Sequence, residues 1–251
     1  MPLKTSINIC NDIDVVILCG GRGRRLRQMV NDRPKVMAKI GPQPFLDLLI
    51  AYLRSLGFRR FILCIGYKGN FIRQYYGSEK RKKLGIVFSS EISPMGTGGA
   101  LKKAKNLVHS NSFLVLNGDS FIRLNIQKLI KTHIDNKALI TMVLCKCADT
   151  KDYGSVMIDK ASRITGFEEK SGRNKLCLTN CGAYLCGQEI FSLMPRLKGF
   201  SLEYDFFPKI IKNDFYGCVA NDTFVDIGTP RKYKRAKLKL RSKFIGYPNG
   251  R

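Results

Sequence analysis

Acidic residues are scarce in this chain. Against 44 lysines and arginines it has 19 aspartates and glutamates, a formal net charge of +25, so a carboxylate at the end of an apolar run stands out. Histidine is rarer still: only His109 and His133 occur, neither in a motif, which leaves little for chemistry that depends on an imidazole base. No run of 18 or more apolar residues is present, so nothing reads as a membrane span, and the opening MPLKTSINICNDID is too mixed and polar for a signal peptide. A cytoplasmic protein is expected. The nine cysteines include no C-x-x-C pair, and Cys19, Cys64, Cys145 and Cys186 fall inside strand-like apolar runs. They read as reduced core residues; Cys145 with Cys147, or Cys177 with Cys181, lacks the second pair or histidine that a zinc site uses. Without a Gly/Ser/Pro-rich linker, an internal repeat or a low-complexity segment, residues 1–251 read as one domain with a sizeable core.

What the chain does have begins at Val15 to Lys39, VVILCGGRGRRLRQMVNDRPKVMAK. Val15 to Cys19 has the length and β-branched content of a buried parallel strand. Gly20, Gly21 and Gly23 then allow a tight turn whose backbone can come close to a ligand, and a helix N-terminus behind that turn would favour an anion. Arg25 and Lys35 would add two positive charges. The spacing is neither the dinucleotide fingerprint nor G-x-x-x-x-G-K-[ST], and a plain strand-turn-helix with surface arginines remains open.

The first half alternates strands with helices. Pro44 to Gly57 puts Phe45, Leu48, Leu49, Tyr52, Leu53 and Leu56 on one helical face. Arg59 to Gly66, Ile86 to Ser90 and Ser112 to Leu116 read as strands, Asn70 to Tyr76 and Gly98 to Val108 as helices. Short connections of this kind predict an α/β fold, a Rossmann-like, mostly parallel central sheet flanked by helices, with ligands beyond the carboxyl ends of its strands. From Ala138 the pattern changes: Leu139 to Cys145, Ser155 to Ile158, Arg163 to Glu168 and Gly182 to Cys186 predict a smaller mixed or antiparallel extension. Helices are expected at Gln188 to Met194 and Glu203 to Lys212. The tail from Arg231 to Lys243 holds eight Lys or Arg in thirteen residues, with Tyr233, Ala236 and Leu240 at helical spacing. It reads as a solvated C-terminal helix docked by one apolar stripe. The positive charge fits polyanionic small substrates, or a nucleic-acid contact.

Two acids close apolar runs. Asp119 follows SFLVLNG and Asp226 ends FVD before Ile227-Gly228-Thr229-Pro230. Mg²⁺ is held by one or two carboxylates together with waters and phosphate oxygens, so two such aspartates at one triphosphate would suffice; either alone could be a turn former or N-cap.

Together these motifs resemble the sugar-1-phosphate nucleotidyltransferases. Gly20 to Leu26 and Pro34-Lys35 are similar to the family's G-G-x-G-T-R-L and P-K-P, with Arg24 in place of the threonine and Val36 in place of the second proline. Met95 to Ala100 resembles its L-G-T-G-G-A loop against the base, whose side-chain-free positions and helix-start donors suit a flat ring. Asn117 to Ser120 and Val225 to Pro230 resemble its two metal motifs. On the sugar side, Tyr153-Gly154, Glu169-Lys170 and Asn180-Cys181-Gly182-Ala183-Tyr184 resemble its Y-G, E-K and N-x-G-x-Y. The overall pattern is most similar to the bacterial D-glycero-α-D-manno-heptose 1-phosphate guanylyltransferases.

The resemblance implies a nucleotide-binding half at about 12–136, a sugar-phosphate half at about 137–230 and a basic helix and tail at 231–251. It implies Mg²⁺ on Asp119 and Asp226, and catalytic roles for Arg25 at the leaving phosphates and Lys35 at the α-phosphate. Nucleotide contacts fall on Cys19, Gly20, Gly21, Gly23, Arg24, Gly96, Thr97, Gly98 and Gly99. Asn117, Tyr153, Gly154, Glu169, Lys170, Asn180 and Gly182 would hold the sugar phosphate. The substrates implied are GTP and a heptose 1-phosphate, with mannose-1-phosphate guanylyl-, glucose-1-phosphate thymidylyl- or uridylyl- and N-acetylmuramate-1-phosphate uridylyl transfer as alternatives. A non-catalytic nucleotide-sugar or nucleic-acid module is the alternative of another class. Neither a membrane nor a nucleic-acid partner is expected on this reading, and a homo-oligomer is left open.

Overall fold

The computed structural model describes residues 9–147, 154–168, 177–222 and 224–244. In chain order the first half runs β1 (Asp14–Leu18), β2 (Lys39–Ile40), β3 (Gln43–Pro44), α1 (Phe45–Ser55), β4 (Phe61–Ile65), α2 (Gly69–Tyr76), β5 (Ile86–Ser90), α3 (Gly96–Lys103), β6 (Ser112–Asn117), β7 (Ser120–Phe121) and α4 (Ile126–Asp135). The second half adds β8 (Ile140–Cys147), β9 (Ser155–Ile158), β10 (Ile164–Glu168), β11 (Cys177–Gly187), α5 (Ile190–Leu193), β12 (Phe215–Ala220), β13 (Val225–Asp226) and α6 (Pro230–Phe244).

The frame is a nine-stranded sheet in the order β10-β9-β11-β6-β1-β4-β5, with β8 paired to β11 and β12 to β8. The four strands β6, β1, β4 and β5 are mutually parallel. Antiparallel pairing begins at β11, which runs against β6, β8 and β9. A parallel sheet buries both faces, and the side chains divide accordingly. Val15 and Ile17, Phe61 and Leu63, and Leu114 and Leu116 join one core cluster. Val16, Ile62, Phe113 and Val115 join the other. Helix α1 seals the first through Phe45, Leu46, Leu49 and Leu53. The second is closed by Leu101 of α3 and by an aromatic group in which Phe207 stacks edge-on to Tyr184 and Phe215 at 5.0 and 5.2 Å between ring centres.

Most sequence-predicted elements are present, with shifted ends. Helix α3 starts at Gly96, two residues before the expected Gly98. The helix expected over Glu203 to Lys212 is instead a π-turn, Leu202–Phe206, followed by a 3-10 turn, Phe207–Lys209. Pro208 is the reason: it has no N–H to give to the preceding turn and obstructs a regular ladder. Strand β12 and helix α4 were not anticipated, although Ile126, Leu129, Ile130 and His133 lie at helical spacing behind the N-cap Asn125, whose side chain accepts from Lys128 N. Sandwiched second-half strands are as continuous in apolar character as buried helices, so the period alone does not separate them. None of the nine cysteines is in a disulfide, and among the described residues no group of three or more His, Cys, Asp or Glu is gathered to hold a metal. No helix among them is long and apolar enough to cross a membrane.

His133 faces the sheet from α4, buried, with Nδ1 3.0 Å from Thr141 Oγ1. Burial pushes the imidazole down from 6.5 to about 4, against an opposing pull from Glu189. A base depressed in the fold is neutral there but protonates when unfolded, so its contribution is intact above pH 6.5 and is lost as pH falls toward 4. In urea unfolding across that window, the native protein should lose up to about 1.4 kcal/mol per pH unit more than His133→Gln.

Candidate active site

At the carboxyl end of β1 the backbone is held on both sides, by Cys19 N donating to Cys64 O and by Gly118 N donating to Leu18 O. The loop 19–23 leaves this edge and passes into a three-residue 3-10 turn, Arg24–Leu26. No α-helix follows, so the helix N-terminus expected behind the glycines is not there. Any anion at this loop meets loop amides and side-chain cations instead. The three glycines do different things. Gly23 adopts φ 57° and a β-carbon on it would touch Lys35 Cβ at 3.0 Å. Gly21 faces open space, while a β-carbon on Gly20 would strike the carboxylate of Glu91.

A cavity of about 310 Å³ opens here, lined by the 19–23 loop, Lys35, Glu91, Gly96, Thr97, Asn117 and Asp119 among others. Asp119 lines it, and Asp226, outside the lining, is brought to its rim beside Gly228 by a small ladder outside the main sheet. Strand β13 pairs with β7 so that Asp226 stands opposite Ser120, the neighbour of Asp119, and Ile227 N donates to Asp119 O at 3.0 Å. Lys35 forms an ion pair with Asp119, and Lys232 with Asp226 at 3.1 Å. One point unites the rest. A β-carbon on Gly228 would lie 2.9 Å from Asp226 Oδ1, 3.7 Å from Lys35 Nζ and 3.8 Å from Arg25 Nη2. Two acids and two cations drawn from distant parts of the chain thus share one rim. Burial alone would raise the Asp119 carboxyl, but the Lys35 ammonium holds it below the ordinary range. Two carboxylates of this kind suit a divalent cation that takes its remaining oxygens from water and phosphate. The amide of Asn117 reinforces the polar character of the wall, since its Oδ1 is buried and accepts no hydrogen bond from the protein.

The structure redistributes several expected contacts. Gly96 and Thr97 line the cavity, but Gly98 and Gly99 do not. Their N–H groups, expected as donors to a base, both go to Phe200 O, at 2.9 and 3.2 Å. A β-carbon on Gly98 would overlap the Phe200 ring, and one on Gly99 would sit 2.5 Å from Lys198 O. These two glycines make room for residues 198–200. Arg24 is exposed and outside the cavity lining, as is Arg25, which reaches the rim beside Gly228. On the sugar side, Tyr153, Glu169 and Lys170 lie outside the described residues. Gly154, Asn180 and Gly182 do not line the cavity. Gly182, at φ 67°, packs against Asn117, so it borders the wall from behind. Reading the sequence missed Arg22, Glu91 and Lys232. Lys232 was hidden in a basic tail, and Glu91, although it follows the strand Ile86–Ser90, is not joined to a glycine turn as Asp119 and Asp226 are.

The sheet order, the acid-bearing ladder and the glycine loop at the strand ends describe a nucleotidyltransferase. Residues 14–243 match the nucleotidyl transferase family, and the chain belongs to it. It is 36% identical over 229 residues to a D-glycero-alpha-D-manno-heptose 1-phosphate guanylyltransferase of Aneurinibacillus thermoaerophilus, covering 91% of this chain and 98% of that one. A protein of the same name from Campylobacter jejuni is 36% identical over 223 residues, 88% and 97% of the two chains. Among solved structures, HddC from Yersinia pseudotuberculosis superposes with a TM-score of 0.81 at 34% identity, over 91% of this chain and 99% of that one. That protein has also been solved complexed with GMP-PN.

Gly98→Ala should cost about 1–3 kcal/mol in urea unfolding, because the methyl group has to displace the packed Phe200 ring. Gly21→Ala, with nothing within 4 Å, should leave the unfolding free energy unchanged within about 0.5 kcal/mol.

Proposed function

We propose that this enzyme transfers a guanylyl group from GTP to D-glycero-α-D-manno-heptose 1-phosphate, forming a nucleotide-sugar and releasing pyrophosphate. The observation that carries the reading is the meeting of Arg25, Lys35 and Asp226 around Gly228, with Asp119 bound to Lys35. The activities of the two relatives and the nucleotide complex of HddC support the choice of GTP and heptose phosphate.

The chemistry asks little covalent work of the protein. An oxygen of the sugar 1-phosphate attacks the α-phosphorus, the bond to the β-phosphate oxygen breaks, and pyrophosphate leaves. With a second pKa of about 6, a phosphate monoester is already largely dianionic at neutral pH, so no general base is needed. That agrees with the histidines: neither His109 nor His133 lines the cavity. The task is to bring two polyanions together and stabilise charge as it moves to the leaving group. Lys35, against both Asp119 and the Gly228 rim, is suited to the α-phosphate. Arg25, at the exposed side of the same rim, is suited to the outgoing phosphates. Asp119 and Asp226 would hold Mg²⁺, whose charge when bound offsets that of the triphosphate. Gly96, Thr97 and the loop amides of Gly20 and Gly21 would line the nucleotide.

Glu91 supplies a reason for guanine. Its Oε2 accepts from Met95 N at 3.2 Å, and it lines the cavity beside Gly20. Guanine presents two adjacent donors, N1–H and N2–H, which a carboxylate can accept together, whereas uracil and thymine offer one donor between two acceptors. Burial raises the carboxyl while Met95 N–H and Lys103 oppose it, so base recognition should weaken as acid protonates Glu91.

Pyrophosphate release should be seen with GTP and heptose 1-phosphate, and more slowly with mannose or glucose 1-phosphate. Lys35→Ala and Asp226→Asn should each lower kcat by about 100-fold or more with folding retained; near-normal rates would refute the assigned roles. Glu91→Gln should raise the KM for GTP by about 10- to 100-fold and narrow its advantage over UTP.

A further inference from the structure

Glu203 belongs to none of the groups used so far, yet it bonds to the cavity-lining Thr97 on one side and to Tyr184 of β11 on the other. It lies in the π-turn, half-buried, and accepts hydrogen bonds from three hydroxyls. Thr97 Oγ1 and Ser201 Oγ donate to Oε2 at 2.7 and 2.8 Å, and Tyr184 OH donates to Oε1 at 3.3 Å. No cation is paired with it among the described residues. Each oxygen leads elsewhere. Thr97 lines the cavity and is locked from a second side by accepting from Leu202 N at 2.8 Å. Tyr184 OH accepts from Asn180 Nδ2 at 2.8 Å, and Asn180 Oδ1 accepts from Gly182 N at 2.8 Å. This spans an irregularity of β11, between Asn180 and Tyr184, where the pairing with β8 shifts. Gly182 in turn packs against Asn117, whose Oδ1 has no protein donor.

We propose that Glu203 is a positioning residue that couples the nucleotide side of the cavity, through Thr97, to the β11 irregularity at Asn180–Gly182, through Tyr184. Seating of the triphosphate against Thr97 then fixes the strand on which the sugar phosphate is to lie, and the acceptor is held for attack only beside a bound nucleotide. The identity of the two substrates rests on the function proposed above; the relay itself rests on the hydrogen bonds. A carboxylate is the suitable centre because its two oxygens accept from the two sides independently. Removing it would leave the buried Tyr184 hydroxyl without its acceptor. The π-turn is a wide, seldom-used geometry that commonly marks functional positions, and here it aims Glu203 between the two halves.

The test compares wild type, Glu203→Gln, Tyr184→Phe and the double variant in pyrophosphate release, with GTP and sugar 1-phosphate varied separately. Each single change should lower kcat/KM for the sugar phosphate by about tenfold, and the double should be no worse than the poorer single. Only Glu203→Gln should also raise the KM for GTP. Effects that multiply in the double variant, or a fall in unfolding midpoint with both KM values unchanged, would overturn the relay. A second measurement uses GTP alone. Hydrogen exchange at the Gly182 amide should slow when GTP is added to wild type and not when it is added to Glu203→Gln; equal slowing in both also overturns the relay. Absence of turnover by wild type would refute the activity and leave this exchange measurement to decide the coupling.

Discussion

The arrangement depends on a ladder of only two residues per strand. Pairing β13 with β7 brings Asp226 beside Asp119, and without it the two acids belong to separate parts of the surface. Close carboxylates repel, so the ladder is stable only because cations are supplied at the same place. Lys35 comes from the 3-10 turn Lys35–Met37 just before β2, and Lys232 from the first turn of α6. At Asp119 the Lys35 ammonium overcomes the burial that would otherwise raise the carboxyl. The scarcity of acid in the rest of the chain sharpens the effect, since these aspartates sit in a strongly positive surrounding field.

Glycine has a less direct role here than backbone access to a ligand. At Gly20 the missing side chain makes space for Glu91, and at Gly98 and Gly99 for residues 198–200. The motif therefore acts partly at one remove: it docks the segment that carries Glu203 and lets an acid into the nucleotide cavity. That separates two kinds of glycine in these motifs, those that open a surface, such as Gly21, and those that accept a neighbour.

Much of this could be read from the sequence because parallel strands bury both faces and leave uninterrupted apolar runs. Val15 to Cys19 and Ser112 to Leu116 announced both themselves and the edge where the cavity opens. Asp119 and Asp226 were visible because each ends such a run. The turn after Gly23 was not legible, since a glycine loop looks alike whether a helix or a 3-10 turn follows. Glu203 and Glu91 were not legible as site residues either: their roles come from contacts with Thr97, Tyr184 and Gly20, residues remote in the chain. Helix α4 was overlooked despite a regular apolar spacing, and Pro208 breaks a segment that composition alone made helical.

The order in which the strands occur along the chain carries a kinetic consequence. Asp119 is synthesised with the parallel half of the sheet, whereas its partner Asp226 arrives only after β8, β11 and β12 have been made and threaded alongside. Such distant pairings close slowly because loop entropy must be overcome before contact is rewarded. Of the contacts that build the site, this pairing therefore carries one of the larger loop-entropy costs.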